Sequence, residues 1–286
     1  GAVVDDATMG IDLVARGDDH VNNTARQILM YQALGYEPPR FAHLPMILGT
    51  DRQRLSKRHG AVSVTWYREE GYLPHAMVNY LVRLGWSLDE KTEIFAREDL
   101  LKYFDLDRVG RSAAVFDQEK LLWLNHHWMM ESRDEELAEG LAEQLGRMGM
   151  DVAGDPRLVT FAGLFKARSK TLKEMAEKAL VYFSEGIAEY DEKARRKFLT
   201  EASKPHLEAV RQRLLEEKGQ GIDECGLEAW MRSYAEARSL GLGKVAQPLR
   251  VALVGGTASP GICETLSLVG KDEAIRRIEA AIGMCE

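Results

Sequence analysis

From residue 131 to the C-terminus, apolar residues recur three and four positions apart almost without interruption. Leu137, Leu141, Leu145 and Met148 form one stripe, and Leu158, Phe161, Leu164 and Phe165 a second. Leu172, Met175, Ala179 and Phe183 follow, then Leu207, Val210 and Leu214, then Leu227, Trp230, Met231 and Tyr234, and last Ile275, Ile278 and Ile282. This is the 3.6-residue period of amphipathic helices, and it speaks against a β-barrel or sandwich over this half of the chain. Starts are marked as well: Ser132-x-x-Glu135 and Thr171-x-x-Glu174 read as capping boxes, and Asp155-Pro156 as an N-cap before a first-turn proline. Helices joined by short loops, with a division near 200–245, predict a bundle or superhelix over 131–286.

The first sixty residues read differently. Ala2–Val4 and Ile11–Ala15 are short β-branched runs, and Met46–Leu48 ends a third. Between them Thr24-Ala25-Arg26-Gln27 opens a helix with Ala25, Ile28, Leu29 and Ala33 on its apolar face and Gly35 as its stop. Strands separated by a helix predict part of a parallel α/β sheet. Three strands cannot close such a domain, and the chain opens without methionine in what reads as a core strand, so an excised fragment is expected. Residues 61–130 mix short helices (Met77, Tyr80, Leu81 and Leu84, ending at Gly85) with an extended Ala113–Phe116 and a helix capped by Asp117. The predicted class is therefore mainly α: a remnant of a parallel α/β domain over 1–60, a small α+β segment over 61–130, and an all-helical region over 131–286.

With 45% apolar and 29% charged residues, the chain is neither disordered nor collagen-like. No apolar stretch approaches the ~20 residues of a membrane helix, and no secretory leader is visible, so a cytoplasmic protein without a membrane partner is expected. Cys225, Cys263 and Cys285 lack metal-site spacing and read as reduced packing residues. His126-His127 has no third ligand, so no metal centre is expected. The net charge of −7 argues against wholesale coating of nucleic acid. Yet residues 1–60 and 243–286 each balance to zero, and neither Arg52–Arg58 nor Lys244–Cys263 contains an acid. An anion can approach in those two places.

The sharpest segment is Asp51-Arg52-Gln53-Arg54-Leu55-Ser56-Lys57-Arg58-His59-Gly60. It follows what reads as the last strand of an α/β sheet, and such sheets bind ligands outside the carboxyl ends of their strands. A loop there places Lys57 and backbone amides around a polyphosphate; the alternative is a solvated basic turn. Arg54-Leu55-Ser56-Lys57-Arg58 resembles the KMSKS signature of class I aminoacyl-tRNA synthetases, and with His59-Gly60 the form found in glutamyl-tRNA synthetases. Arg54 departs from the family's usual lysine. Further segments match in the family's order: Val3-Val4-Asp5-Asp6, Val14-Ala15-Arg16-Gly17-Asp18-Asp19-His20, Asn79-Tyr80-Leu81, Leu122-Trp123-Leu124-Asn125, Gln247-Pro248-Leu249-Arg250 and Ser259-Pro260-Gly261.

The resemblance implies a class I catalytic domain ending near residue 60, a stem-contact domain over 61–130 and a helical anticodon-binding region over 131–286. It implies activation of glutamate by ATP with Mg2+, then transfer to the 3′ end of tRNA(Glu), in a cytoplasmic monomer. Lys57 and Ser56 are the implied catalytic residues, Lys57 holding the departing phosphates; one such donor is worth about 3–4 kcal/mol in the transition state. Arg54, Leu55 and Arg58 complete the ATP-binding loop. Arg16 is implied to pair the substrate's α-carboxylate, with a salt bridge to Asp18 or Asp19 as the alternative. His20 is implied at the amino acid pocket, or else is a packing histidine. Arg250, Ser259, Pro260, Ile262 and Arg168 are implied to face anticodon bases, with interdomain packing the alternative for Arg250. The family's His-x-Gly-His signature does not occur in this sequence. A carboxy-terminal fragment, inactive alone and holding no cofactor of its own, is therefore expected. Two other readings are a non-catalytic tRNA-binding scaffold and a glutaminyl-tRNA synthetase relative. The helical stripes oppose the latter, whose anticodon modules are β-barrels.

Overall fold

The structure, a computed structural model, describes residues 1–56, 63–216 and 222–285. Two compact units divide the chain, Gly1–Glu131 and Ser132–Glu286.

The first unit opens on a helix, α1 (Ala2–Met9), where the sequence predicts a strand. Two valines do not sustain a strand when two aspartates follow. Asp5 instead occupies the first turn, where a carboxylate meets free amide dipoles, and Gly10 at φ 70° ends the helix. β1 (Leu13–Gly17), two residues later than predicted, leads through α2 (Val21–Ala33) to β2 (Arg40–Leu44), its parallel partner with Ala15 opposite Ala42. The predicted β–α–β pattern holds, but β2 itself is not anticipated. Pro45 separates it from β3 (Ile47–Leu48), which pairs in a second sheet with β4 (Ala114–Val115).

α2 begins before Thr24, which is therefore no cap but a first-turn residue with its hydroxyl turned to β1 and β2. Its inward face is also not the one predicted. Tyr31 is buried and Ile28 half-buried, whereas Ala25, Leu29 and Ala33 are exposed. Gly35 does end the helix, at φ 76°, with the Tyr36 amide donating to the Tyr31 carbonyl at 2.9 Å.

Beyond lie α3 (Val64–Glu69), α4 (Pro74–Arg83), α5 (Arg97–Tyr103) and α6 (Gln118–Glu131). Tyr67, Tyr72, Met77, Tyr80, Leu121 and Leu124 form the core of α3, α4 and α6, and Leu100 of α5 packs in a second cluster with Trp86 and Phe95. Two buried asparagines fasten it. Asn79 accepts from the Phe95 amide at 3.0 Å and the Trp128 indole at 3.2 Å, and Asn125 accepts from the Leu73 amide at 2.8 Å. Asp117 caps α6 as predicted, accepting from the Glu119 amide at 2.9 Å.

The second unit is helical, with no strand among its described residues: α7 (Asp134–Arg147), α8 (Arg157–Phe165), α9 (Leu172–Phe183), α10 (Glu192–Phe198), α11 (Lys204–Glu216), α12 (Glu224–Glu236), α13 (Gly243–Val254), α14 (Ile262–Val269) and α15 (Lys271–Ile282). The predicted stripes are its core, with Leu141, Leu145, Phe161, Met175, Ala179, Leu207, Val210, Leu214, Met231 and Ile278 fully buried. Thr171 caps α9 as predicted, accepting from the Glu174 amide at 3.1 Å. The Ser132 box does not form. α7 starts at Asp134, and three acids in its first turn meet the dipole instead. Asp155 accepts from the Arg157 amide at 2.9 Å, but Pro156 holds the cap position itself. Cys263 and Cys285 are buried, while Cys225 is exposed rather than packed.

Acid should loosen this unit. Burial pushes the carboxyls of Asp155, Glu174 and Glu273 up, but hydrogen bonds from Arg157, Lys178 and Arg277 outweigh it and hold all three below the ordinary range. Stability from a lowered carboxylate is complete above the unfolded pKa and lost as pH falls through the folded one. Burial and then Arg238 also lower the His206 pKa, so a smaller loss begins as pH drops below about 6.5. The thermal midpoint, followed by circular dichroism, is expected to slip slightly between about pH 7 and 5 and steeply below about pH 4.

Candidate functional site

In the first unit the polar side chains gather where β1 runs out. Arg16, half-buried, donates through Nη2 to Thr24 Oγ1 at 2.7 Å and to the His20 carbonyl at 3.4 Å, and its guanidinium lies 5.4 Å over the Phe41 ring. Thr24 Oγ1 is also 2.9 Å from His43 Nε2. No ion pair joins Arg16 to Asp18 or Asp19 among the described residues; Asp19 pairs with Arg54 at 3.0 Å instead. Three buried polar atoms here have no partner among the described residues: Arg16 Nε, Asp18 Oδ1 and Gln27 Oε1. Such atoms cost roughly 1–3 kcal/mol each when nothing bonds them, so Arg16 Nε and Asp18 Oδ1, two residues apart where β1 ends, are open to a polar ligand. His20 is exposed at the N-cap of α2, with Nδ1 3.2 Å from Asn23 Nδ2.

The basic segment leaves β3 through a tight turn. The Gly49 amide donates to the Gln53 carbonyl at 2.8 Å, Arg52 sits at φ 61°, and the Leu55 amide returns to the Ile47 carbonyl at 2.9 Å. Leu55 and Ser56 are half-buried, and the Arg54 pair with Asp19 ties the turn to the end of β1. Arg16, His20 and Arg54 are thus brought together. Lys57 and Arg58 lie outside the described residues.

In the second unit a cavity of about 550 Å3 is lined by Arg168, Lys178, Tyr182, Arg250 and Ser259, among others. That volume falls in the roughly 300–1,000 Å3 range of small-ligand sites. Arg250 Nε donates to Ser259 Oγ at 2.7 Å and its Nη2 to the Pro260 carbonyl at 3.4 Å. Thr265 Oγ1 donates to Ser259 Oγ at 2.9 Å and steadies that turn from α14. Arg250 is therefore held along one edge while Nη1 stays without a partner among the described residues. Arg168 is exposed, and its carbonyl accepts from Lys178 Nζ, which also pairs with Glu174 at 2.7 Å. Burial pushes the Tyr182 hydroxyl up to about 12, so at neutral pH it is a neutral wall bonded to Thr265. Pro260 is buried, and Ile262 lines a neighbouring cavity of about 420 Å3 that Arg250 also reaches.

Arg168, Arg250 and Ser259 thus meet in one cavity, Ile262 stands at the next, and Pro260 offers its carbonyl inward rather than its ring outward. Sequence reasoning missed Lys178, Tyr182 and Thr265. Tyr182 was legible as the neighbour of Phe183 in a stripe, with the phase wrong by one residue; Thr265 gave no signal.

The family model for the catalytic domain of class I tRNA synthetases (E and Q) matches residues 1–123, and the anticodon-binding domain model matches residues 136–282. The chain belongs to the anticodon-binding domain family, and its first part is similar to the class I (E and Q) catalytic domain. Among curated proteins it is 52% identical, over 99% of its length, to glutamate–tRNA ligase of Anaeromyxobacter sp., and 50% identical to that of Geobacter sulfurreducens. The chain spans 59% and 60% of the length of those two ligases. A crystal structure of a glutamate–tRNA ligase from Elizabethkingia meningosepticum, in complex with its amino acid, superposes with TM-score 0.80 at 29% identity, over 100% of this chain and 59% of the other. A second, from Elizabethkingia anophelis, gives 0.77 at 30%. The match to the anticodon-binding model agrees with the helical second unit. No helix among the described residues is long and apolar enough to cross a membrane.

Proposed function

We propose that this chain supplies the ATP-loop and tRNA-reading portions of a cytoplasmic, monomeric enzyme that joins glutamate to tRNA(Glu). In this reading 1–60 is the end of the catalytic domain, 61–130 the stem-contact domain and 131–286 the anticodon-binding region. The observation that carries it is the meeting of Arg168, Arg250 and Ser259, separated in sequence, in one cavity of the unit that matches the anticodon-binding model. Unstacked loop bases are read by guanidinium planes and small polar groups, and Arg250 has that form, with one edge fixed and Nη1 free to donate. Ile262 packs against the neighbouring base, and Pro260 shapes the turn through its carbonyl.

At the other site Arg16 pairs the glutamate α-carboxylate through its unpartnered Nε, with His20 beside it. Arg54, Leu55, Ser56, Lys57 and Arg58 close on the ATP phosphates. Lys57 and Ser56 serve catalysis, by stabilising charge as pyrophosphate leaves. Mg2+ is assigned to the nucleotide's phosphates.

Two measurements test the reading. Filter binding of tRNA(Glu) to the chain should be saturable and weaken steeply between low and moderate salt. No saturable binding would end it. Glutamate-dependent ATP–pyrophosphate exchange by the chain alone should stay at background, since the His-x-Gly-His string is absent from its sequence; measurable exchange would contradict the division of labour between the two ATP-binding signatures.

A further inference from the structure

Toward the N-terminal end of α13, away from Arg250, a separate cavity of about 320 Å3 is lined by Lys197 and Phe198, Thr200, His206, and Lys244 and Pro248. No carboxylate lines it, whereas Glu177 lines the Arg250–Arg168 cavity and three glutamates line the one beside Ile262. Neither lysine has a carboxylate partner among the described residues, and Lys197 Nζ rests 5.1 Å over the Phe198 ring. The turn into α11 is rigidly bonded: the Thr200 amide donates to Ser203 Oγ at 3.0 Å, and Ser203 Oγ donates to the Thr200 carbonyl at 2.7 Å. That leaves the Thr200 hydroxyl unengaged among the described residues. His206 is held from behind, with Nδ1 3.1 Å from the Tyr234 hydroxyl.

Two unpaired ammonium groups and a free hydroxyl over a wall of Phe198 and Pro248 suit an anion joined to a flat, weakly polar body. We infer that this cavity binds a nucleotide, with Lys197 and Lys244 on its phosphate and the base against Phe198 and Pro248. The phosphate has two sources with the same chemistry: a free mononucleotide, or one nucleotide of an RNA strand. The inference does not depend on how the anticodon is read.

Isothermal titration of the whole chain with AMP tests it, with adenosine as the phosphate-free control and a short RNA hairpin as the polymer. Saturable AMP binding that weakens at least about tenfold in K197Q/K244Q, and equally when adenosine replaces AMP, is expected. R250A should leave AMP binding unchanged. If AMP does not bind but the hairpin binds about tenfold more weakly to K197Q/K244Q, the site is supported with RNA as its source. Binding of both probes that is absent, or equal in wild type and variant, overturns it. Lys244→Gln alone, at an exposed position, keeps the test valid should the double variant melt early.

Discussion

Arg277→Met is expected to cost about 3–5 kcal/mol of stability and to lower the thermal midpoint by roughly 6–20 °C. The side chain is 1% exposed and joins three elements, α9, α13 and α15. Its Nη1 donates to the Val181 carbonyl at 2.7 Å and the Leu253 carbonyl at 2.6 Å, its Nη2 to the Ser184 carbonyl at 2.7 Å, and its Nε to Glu273 at 2.7 Å. Glu273 in turn accepts from the Gly186 amide at 2.6 Å. Methionine fills the volume but leaves three carbonyls without a donor, while Glu273 keeps Arg276 and the Gly186 amide, and that uncompensated desolvation of the carbonyls dominates the loss. Chemical denaturation of the wild type and the variant reads this directly. A loss below about 1 kcal/mol for R277M would mean that the carbonyls find other partners.

The second large effect falls on RNA. Arg250→Ala should weaken tRNA(Glu) binding by about 1.5–3 kcal/mol, roughly 10–150-fold, while leaving the fold intact. The turn it touches does not depend on it: Ser259 Oγ keeps its bond to the Pro260 carbonyl at 2.9 Å and accepts from Thr265 at 2.9 Å. An arginine that only packed would give the opposite pattern, a lower melting temperature with binding reduced in proportion. Gel-shift titration alongside a melt separates the two.

The helical half was legible because stripes of period 3.6 report burial directly, and burial drives that unit's folding. Leu141, Phe161, Leu207 and Ile278 are core for the reason the sequence suggests. The first sixty residues were harder. Ala2–Val4 has strand composition but too little length, and the aspartates that follow decide for helix. In α2 the apolar letters point one way and the packing another: Leu29 is 65% and Met30 53% exposed while Tyr31 is buried. Periodicity assigns a face only when most apolar residues on a helix have a partner, and here they do not. The candidate sites were legible through motif strings, not through physics. What sequence could not give was their neighbours. The Asp19–Arg54 pair and the Lys178 contact with Arg168 join residues whose proximity depends on the finished fold.

The central claim is that the cavity of Arg168 and Arg250 reads anticodon bases. Its most direct test is equilibrium binding of two transcripts, tRNA(Glu) and the same RNA with altered anticodon bases, to the wild-type chain and to R250A at one fixed salt concentration. The account predicts that the wild type prefers the unaltered RNA at least about tenfold and that R250A binds both at the weaker level. Equal binding of the two RNAs by the wild type, or a preference that survives in R250A, would contradict it.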